Sequence, residues 1–299
     1  MKKLSVLILL LCALFLFGCG KNETGTGTTA PPPSSTTTGI PTATVTFPEG
    51  YNVVQIAEKL EENGVCSAQE FITLTNDADY ITSLGYTFTE FIPGSQRAFL
   101  LEGYLFPDTY EFYLNDSAEN VLNKILRNTS AKLTGEYSIR AQELGYTLDE
   151  IISLAAIIQE ESYSAESMTL ISSVLYNRLN SGTKLECDVT IKYLEDYVVR
   201  SPYLKKLIEN RLGREITEEE LLAETDKYRA LYNVFKCPAI PEGPITCPGK
   251  AAIEAALYPA ESEIESKINS QKKLDAYDDE LHKKRDVINK SLYQLYKYK

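Results

Sequence analysis

Thr147-Leu148-Asp149-Glu150-Ile151-Ile152-Ser153-Leu154-Ala155-Ala156-Ile157-Ile158-Gln159-Glu160-Glu161 is the stretch on which the fold turns. Its first four residues cap a helix. The next eight, Ile151 to Ile158, are apolar nearly all round, so this helix must lie inside a domain rather than on its surface. Three polar residues, Gln159, Glu160 and Glu161, close it. At about 100° per residue Glu161 falls between Leu154 and Ile157 on the helical wheel, not on an open face. Burial there would raise its pKa and keep it protonated near neutral pH, as a general acid requires. Two other readings stand beside this one. Glu161 is also where such a helix would emerge into water, and Glu160, near Ser153 and Ala156 on the wheel, is the rival acid.

Outward from this helix, further helices are expected over Ala118 to Arg127, Ser138 to Leu144 with Gly145 as a stop, and about Glu166 to Leu179. The charged stretch from Glu209 to Lys227 reads as an exposed helical insertion. Nearer the start, Val45 to Pro48 reads as a short strand, and Val53, Ile56, Ala57 and Leu60 form the apolar face of a helix ended by Gly64. A second helix follows Ser67, with Glu70 three residues on as in a capping box, and runs through Phe71, Ile72 and Leu74. Strand, helix, helix, strand is a LysM-like order. The expected class is α+β, a small LysM-like domain (45–115) followed by a larger, mostly helical catalytic domain (116–299).

The chain of 299 residues begins with Lys2-Lys3 and an apolar run from Leu4 to Phe17, broken by Gly18-Cys19-Gly20. That run is shorter than the about 20 residues a membrane span needs and reads as a signal peptide over 1–18. Leu16-Phe17-Gly18-Cys19 resembles a lipobox, which makes Cys19 the expected lipidation site and the membrane a partner through the anchor. Residues 19–44 are mostly Thr, Ser, Gly and Pro, a disordered tether reaching roughly 25 to 30 Å.

A formal charge of −12 with no basic stripe argues against nucleic acid. The single histidine, His282, sits in a charged Asp279-Glu280-Leu281-His282-Lys283-Lys284 run. It reads as part of a solvated helix face, which removes most hydrolytic options, since serine or cysteine triads and His-rich zinc sites need imidazoles in the core domain. There is no Gly-rich phosphate loop either, and no metal or cofactor is expected. Carboxylates remain.

Four blocks, in order, then resemble the YceG-like endolytic murein transglycosylases. They are Leu101-Glu102-Gly103-Tyr104-Leu105-Phe106-Pro107-Asp108-Thr109-Tyr110; Leu154 to Ser162; Ser172-Ser173-Val174-Leu175-Tyr176-Asn177-Arg178-Leu179 with Leu185-Glu186-Cys187-Asp188-Val189-Thr190; and Tyr232-Asn233-Val234-Phe235 with Ile240-Pro241-Glu242-Gly243-Pro244-Ile245-Thr246-Cys247-Pro248-Gly249. The resemblance favours Glu161 over Glu160. The Glu161-Ser162 step is also similar to the catalytic Glu-Ser of lytic transglycosylases with a lysozyme-related fold.

What the resemblance implies is cleavage of the bond between N-acetylmuramic acid and N-acetylglucosamine in nascent peptidoglycan glycan strands, leaving 1,6-anhydro ends, with peptidoglycan synthases as partners. It puts Asn177, Arg178, Asp188, Asn233 and Glu102 forward as glycan-binding residues. The alternative for the first four is a buried polar network holding loops in place, and for Glu102 a charge that pins the link between domains. Cys187 and Cys237, in adjacent motifs, are expected to form a disulfide, with Cys247 as the other possible partner. Where relatives carry a hydrophobic hairpin, Glu261 to Lys273 is charged.

Overall fold

The computed structural model of the chain describes residues 40–162, 164–236 and 239–260. The signal peptide, Cys19, the tether up to residue 39, Cys237, His282 and the charged stretch from Glu261 lie outside the described residues.

Two strands, β1 (Thr42–Thr46) and β2 (Thr109–Tyr113), pair antiparallel from Thr42↔Tyr113 to Thr46↔Thr109. Period-2 alternation turns Val45, Tyr110 and Phe112 inward, where Phe47 packs 5.3 Å from Tyr110 and 6.3 Å from Phe112. Between the strands run α1 (Val53–Glu62), α2 (Ala68–Leu74), α3 (Ala78–Ser83) and a 3₁₀ turn at Thr87–Thr89. The apolar face expected for α1 is the buried one, with Val53, Ile56, Ala57 and Leu60 all inaccessible. Asn52 and Gln55 form its capping box. At α2 only half of the expected box forms: Ser67 accepts from Glu70 N–H, and another free donor of that first turn, Ala68 N–H, goes to the Glu61 carboxylate of α1.

The rest is helical: α4 (Ala118–Lys132), α5 (Gly135–Glu143), α6 (Leu148–Glu161), α7 (Ala165–Asn180), α8 (Asp188–Tyr193), a π-helical segment at Leu194–Val199, α9 (Leu204–Leu212), α10 (Glu218–Tyr232) and α11 (Lys250–Leu257). The molecule is thus mostly helical with a small sheet, in the α+β class. No helix among the described residues is long and apolar enough to cross a membrane.

Helix α6 is the axis of the helical part, as its sequence requires. Its side chains from Ile151 to Ile158 are all buried, packed among α5, α7, α8 and α11. The small residues Ala252, Ala255 and Ala256 let α11 lie close. The expected single insertion at 209–227 is instead parts of two helices, broken by Gly213 in the left-handed region (φ 67°). Within 209–227 only Ile216 and Thr225 are buried and the rest is exposed or half-buried, while Tyr228 and Tyr232, further along α10, enter the core.

The described residues, from Ile40 to Ala260, form one compact unit with a continuous core. Helix α4 packs on α2, and its Thr129 hydroxyl donates to Tyr104 C=O (2.7 Å) and accepts from Phe106 N–H (3.2 Å). These hydrogen bonds and helix contacts cross the expected boundary at 115/116.

Gly103 shows why the first and fourth sequence blocks belong together. It sits at φ 87°, and a Cβ on it would lie 2.5 Å from Cβ and Cγ of Pro244 and 3.1 Å from Cγ2 of Ile152. Left-handed strain and overpacking add, so Gly103→Ala should cost about 3 kcal/mol or more in a urea melt. A loss below about 1 kcal/mol would show that the chain relaxes freely there.

Candidate active site

The end of α6 is held by backbone on two sides. Gly50 N–H donates to Cys247 C=O (3.0 Å) and Cys247 N–H to Tyr51 C=O (2.7 Å), so segments 47–52 and 246–249 run side by side. Gln159, still buried, accepts from Gly249 N–H (3.0 Å) at the start of α11. Glu160 is turned onto Gly50, where a Cβ would come within 2.8 Å of its Oε1. Burial pushes the Glu160 carboxyl above the usual range, while Lys192 of α8 and the Thr246 hydroxyl pull it back.

Glu161 is the last residue of α6 and is half-buried. The helix is enclosed through Gln159 and leaves the core at Glu160 and Glu161. Of the two readings of its wheel position, half-burial stands between enclosure and emergence into water, because the core covers the last turn only as far as Gln159. Ser162 ends the helix with extended backbone, its N–H donating to Ile158 C=O (3.1 Å).

The third and fourth blocks adjoin each other. Glu186, at φ 54°, donates its N–H to Val234 C=O (3.3 Å). Arg178, in the last turn of α7, donates from its guanidinium to Leu185 C=O and so braces the loop that leads to α8. Asn177 beside it is half-buried, as is Asp188, the first residue of α8. Asn233 ends α10, and its Oδ1 accepts from Phe235 N–H (3.1 Å). These hydrogen bonds tie Arg178 and Asn233 to the adjoining loops. Cys187 is buried, and its expected partner Cys237 falls outside the described residues.

Glu102 does not line a binding surface. It is fully buried, accepting from Val53 N–H (3.1 Å) at the start of α1 and from the Tyr193 hydroxyl (3.0 Å) of α8, with Cys247 Sγ 3.9 Å away. Its place among glycan-binding residues is corrected to that of a pin between α1, α8 and the fourth block. Burial pushes its carboxyl up to about 8, against the pull of those hydrogen bonds. The unfolded chain titrates near 4.3, so between about pH 4.5 and about pH 8 the native state holds more protons and stability falls as pH rises. Glu102→Gln keeps an acceptor for Val53 N–H and removes this dependence. From about pH 5 to about pH 9 the native chain should lose at least about 4 °C in Tm relative to the variant, and parallel profiles would contradict this.

A buried hub that sequence reasoning missed joins α6 to the first and fourth blocks. Arg97, its side chain 2% exposed, donates to Asp149 Oδ1 (3.1 Å) and Oδ2 (2.6 Å) and to Glu242 C=O (2.9 Å). The Tyr104 hydroxyl donates to Asp149 Oδ1 (2.7 Å), and the guanidinium lies 4.1 Å from the centre of the Phe91 ring. Gly243 leaves the room: a Cβ there would meet Arg97 Cζ at 2.6 Å. In the sequence Asp149 was readable only as a first-turn helix acid.

Beside the first half of α6 opens a cavity of about 570 Å³, walled by Tyr146, Asp149, Glu150, Asn233, Ile240 and Glu242 among others. Glu161 does not line it. Ser153, which does, lies about 12 Å earlier along the helix axis.

The YceG-like family model matches residues 34–265, a span that contains all four blocks and α6. The chain belongs to the YceG-like family. It is 28% identical over 232 residues to the endolytic murein transglycosylase of Streptococcus pneumoniae, covering 74% of this chain and 39% of that protein. The endolytic murein transglycosylase of Bacillus subtilis is 26% identical over 220 residues, covering 72% of this chain and 56% of that one. A crystal structure of a yceG-like protein from Listeria monocytogenes matches with a TM-score of 0.57 at 26% identity, over 74% of this chain and 68% of that chain. The chain thus spans from about two fifths to just over half the length of the curated relatives it matches. Within the YceG-like match, the α6 terminus is where the second block and the fourth block meet, through Gln159 and Gly249.

Proposed function

We propose that this YceG-like chain is a peptidoglycan lytic transglycosylase that cleaves the N-acetylmuramic acid to N-acetylglucosamine bond of nascent glycan strands, with Glu161 as its catalytic acid and base. One observation carries the reading: a family match that runs through all four blocks and includes the helix that presents Glu161 at the edge of the core. The protonated carboxyl gives its proton to the bridging oxygen as the C1–O bond of the muramyl residue breaks, through an oxocarbenium-like transition state. The resulting carboxylate takes the proton of the muramyl 6-hydroxyl, whose oxygen bonds to C1. The proton returns to Glu161 and no water is consumed, so a single carboxyl group suffices.

Asn177, Arg178, Asp188 and Asn233 belong to this reading as glycan-side residues of the third and fourth blocks. The part from β1 to β2 is a LysM-like glycan-binding unit, supported by its strand, helix, helix, strand order, and residues from 116 carry the chemistry. Cys19 bears the lipid that holds the protein on the outer side of the cell membrane, within tether reach of the wall and its synthases, and Cys187 pairs with Cys237. The test is mass spectrometry of glycan digested by the purified chain. Muropeptides lighter by one water than hydrolytic products are expected; an undigested sacculus that still retains the protein would make the chain a wall-binding lipoprotein instead.

A further inference from the structure

We propose that the cavity beside the first half of α6 is a subsite for the amine-bearing end of a peptide stem attached to the glycan, a proposal that rests on the lytic reading for its substrate. The cavity, about 570 Å³, has the size of sites that enclose a small organic group. Its walls are of two kinds. Leu179, Leu231, Ile240 and Pro241 are apolar, Asp149, Glu150 and Glu242 are acidic, and among the described residues neither lysine nor arginine lines it.

The three carboxylates differ in what neutralises them. Asp149 is matched by Arg97. Among the described residues, Glu150 accepts only from the Thr147 N–H and hydroxyl (2.8 and 2.9 Å), and Glu242 from Gln96 N–H (2.9 Å), all uncharged donors. Two acidic residues of a partly apolar lining therefore have no cationic partner among the described residues. The ligand that complements this is an ammonium on a short aliphatic stem, such as the side chain of a diamino acid. The carboxylates of a stem find no cation among the described lining residues, so only its amine end enters.

The distance agrees. About 12 Å of helix separates Ser153 at the cavity from Glu161. A lactyl group and three extended residues, at about 3.3 Å each, reach from a sugar at Glu161 to the cavity. The subsite would therefore select stems by the free or blocked state of their amine, independently of the bond being cut.

The experiment is an NMR titration of the purified full chain with L-Ala-γ-D-Glu-L-Lys and with its Nε-acetylated form. The variant Glu150→Gln/Glu242→Gln removes both charges yet keeps the folding bonds, because Gln also serves at the third position of a capping box and still offers an acceptor to Gln96 N–H. The free peptide should shift resonances of Tyr146, Asn233 and Ile240, bind the native chain at least about tenfold more tightly than the acetylated one, and lose that advantage in the variant. Equal binding of the two peptides, an advantage that survives in the variant, or no binding at millimolar peptide would overturn the subsite. Lytic assays separate this from the parent reading. Anhydro-product release with no amine preference sinks the subsite alone, and amine-selective binding without cleavage sinks the enzyme reading alone.

Discussion

Glu161→Gln should lower the release of anhydro-muropeptides by about a thousandfold or more while glycan binding and thermal stability stay near those of the native chain. Glutamine has the size of the carboxyl but no proton to give, so the leaving oxygen departs as an alkoxide, and about 4 kcal/mol of barrier returns. Position explains why stability should hold. Glu161 is half-buried at the very end of α6, after the last fully enclosed turn, and Gln159 and Ser162 on either side make the bonds that fasten that end. Glu160→Gln is the matched control, because Glu160 packs on Gly50 beside Thr246 and Lys192. It should leave most activity intact. If instead Glu160→Gln silences the enzyme and Glu161→Gln does not, the proton donor sits one residue earlier, where burial raises the carboxyl.

The second large effect is on folding. Arg97→Ala should destabilise the chain by about 3–5 kcal/mol, a fall of roughly 10 °C in Tm for a unit of this size. Removing the guanidinium leaves Asp149 with Tyr104 alone, strands Glu242 C=O, and opens a void against Phe91 and Gly243. Asp149→Ala should be comparably damaging, since it leaves a positive charge 2% exposed and unmatched. The double variant Arg97→Met/Asp149→Leu should be markedly more stable than the two single losses summed, because no charge is left buried. Strict additivity in denaturant melts would mean that the pair does not act as a unit. Arg97→Lys should not rescue, as an ammonium cannot bridge both carboxylate oxygens and the Glu242 carbonyl in one plane.

The hub and Glu102 explain why the site was only partly legible. Wheel positions on α6 located Glu160 and Glu161 at the end of a buried helix, because helical periodicity is a local property. They did not settle how far the neighbouring loops cover that end, which depends on Gly50 and Cys247, about 110 and 90 residues away in the chain. Glu102 looked like one polar residue of a motif among several. Its full burial between Val53 and Tyr193 follows from where α1 and α8 come to rest, and nothing within the motif encodes that.

By itself the sequence determined the α1 face, the capped and buried α6, the breaks at Gly64 and Gly145, and the family blocks, since each depends on side-chain period, caps or glycine within a few residues. Only the tertiary structure decided that α11 lines α6, that the charged insertion is divided between α9 and α10, that Arg97 meets Asp149 across 52 positions, and that an acidic cavity opens beside α6. These are pairings between distant segments, where burial and charge balance arise from assembly, and a one-dimensional pattern carries no distance between its parts.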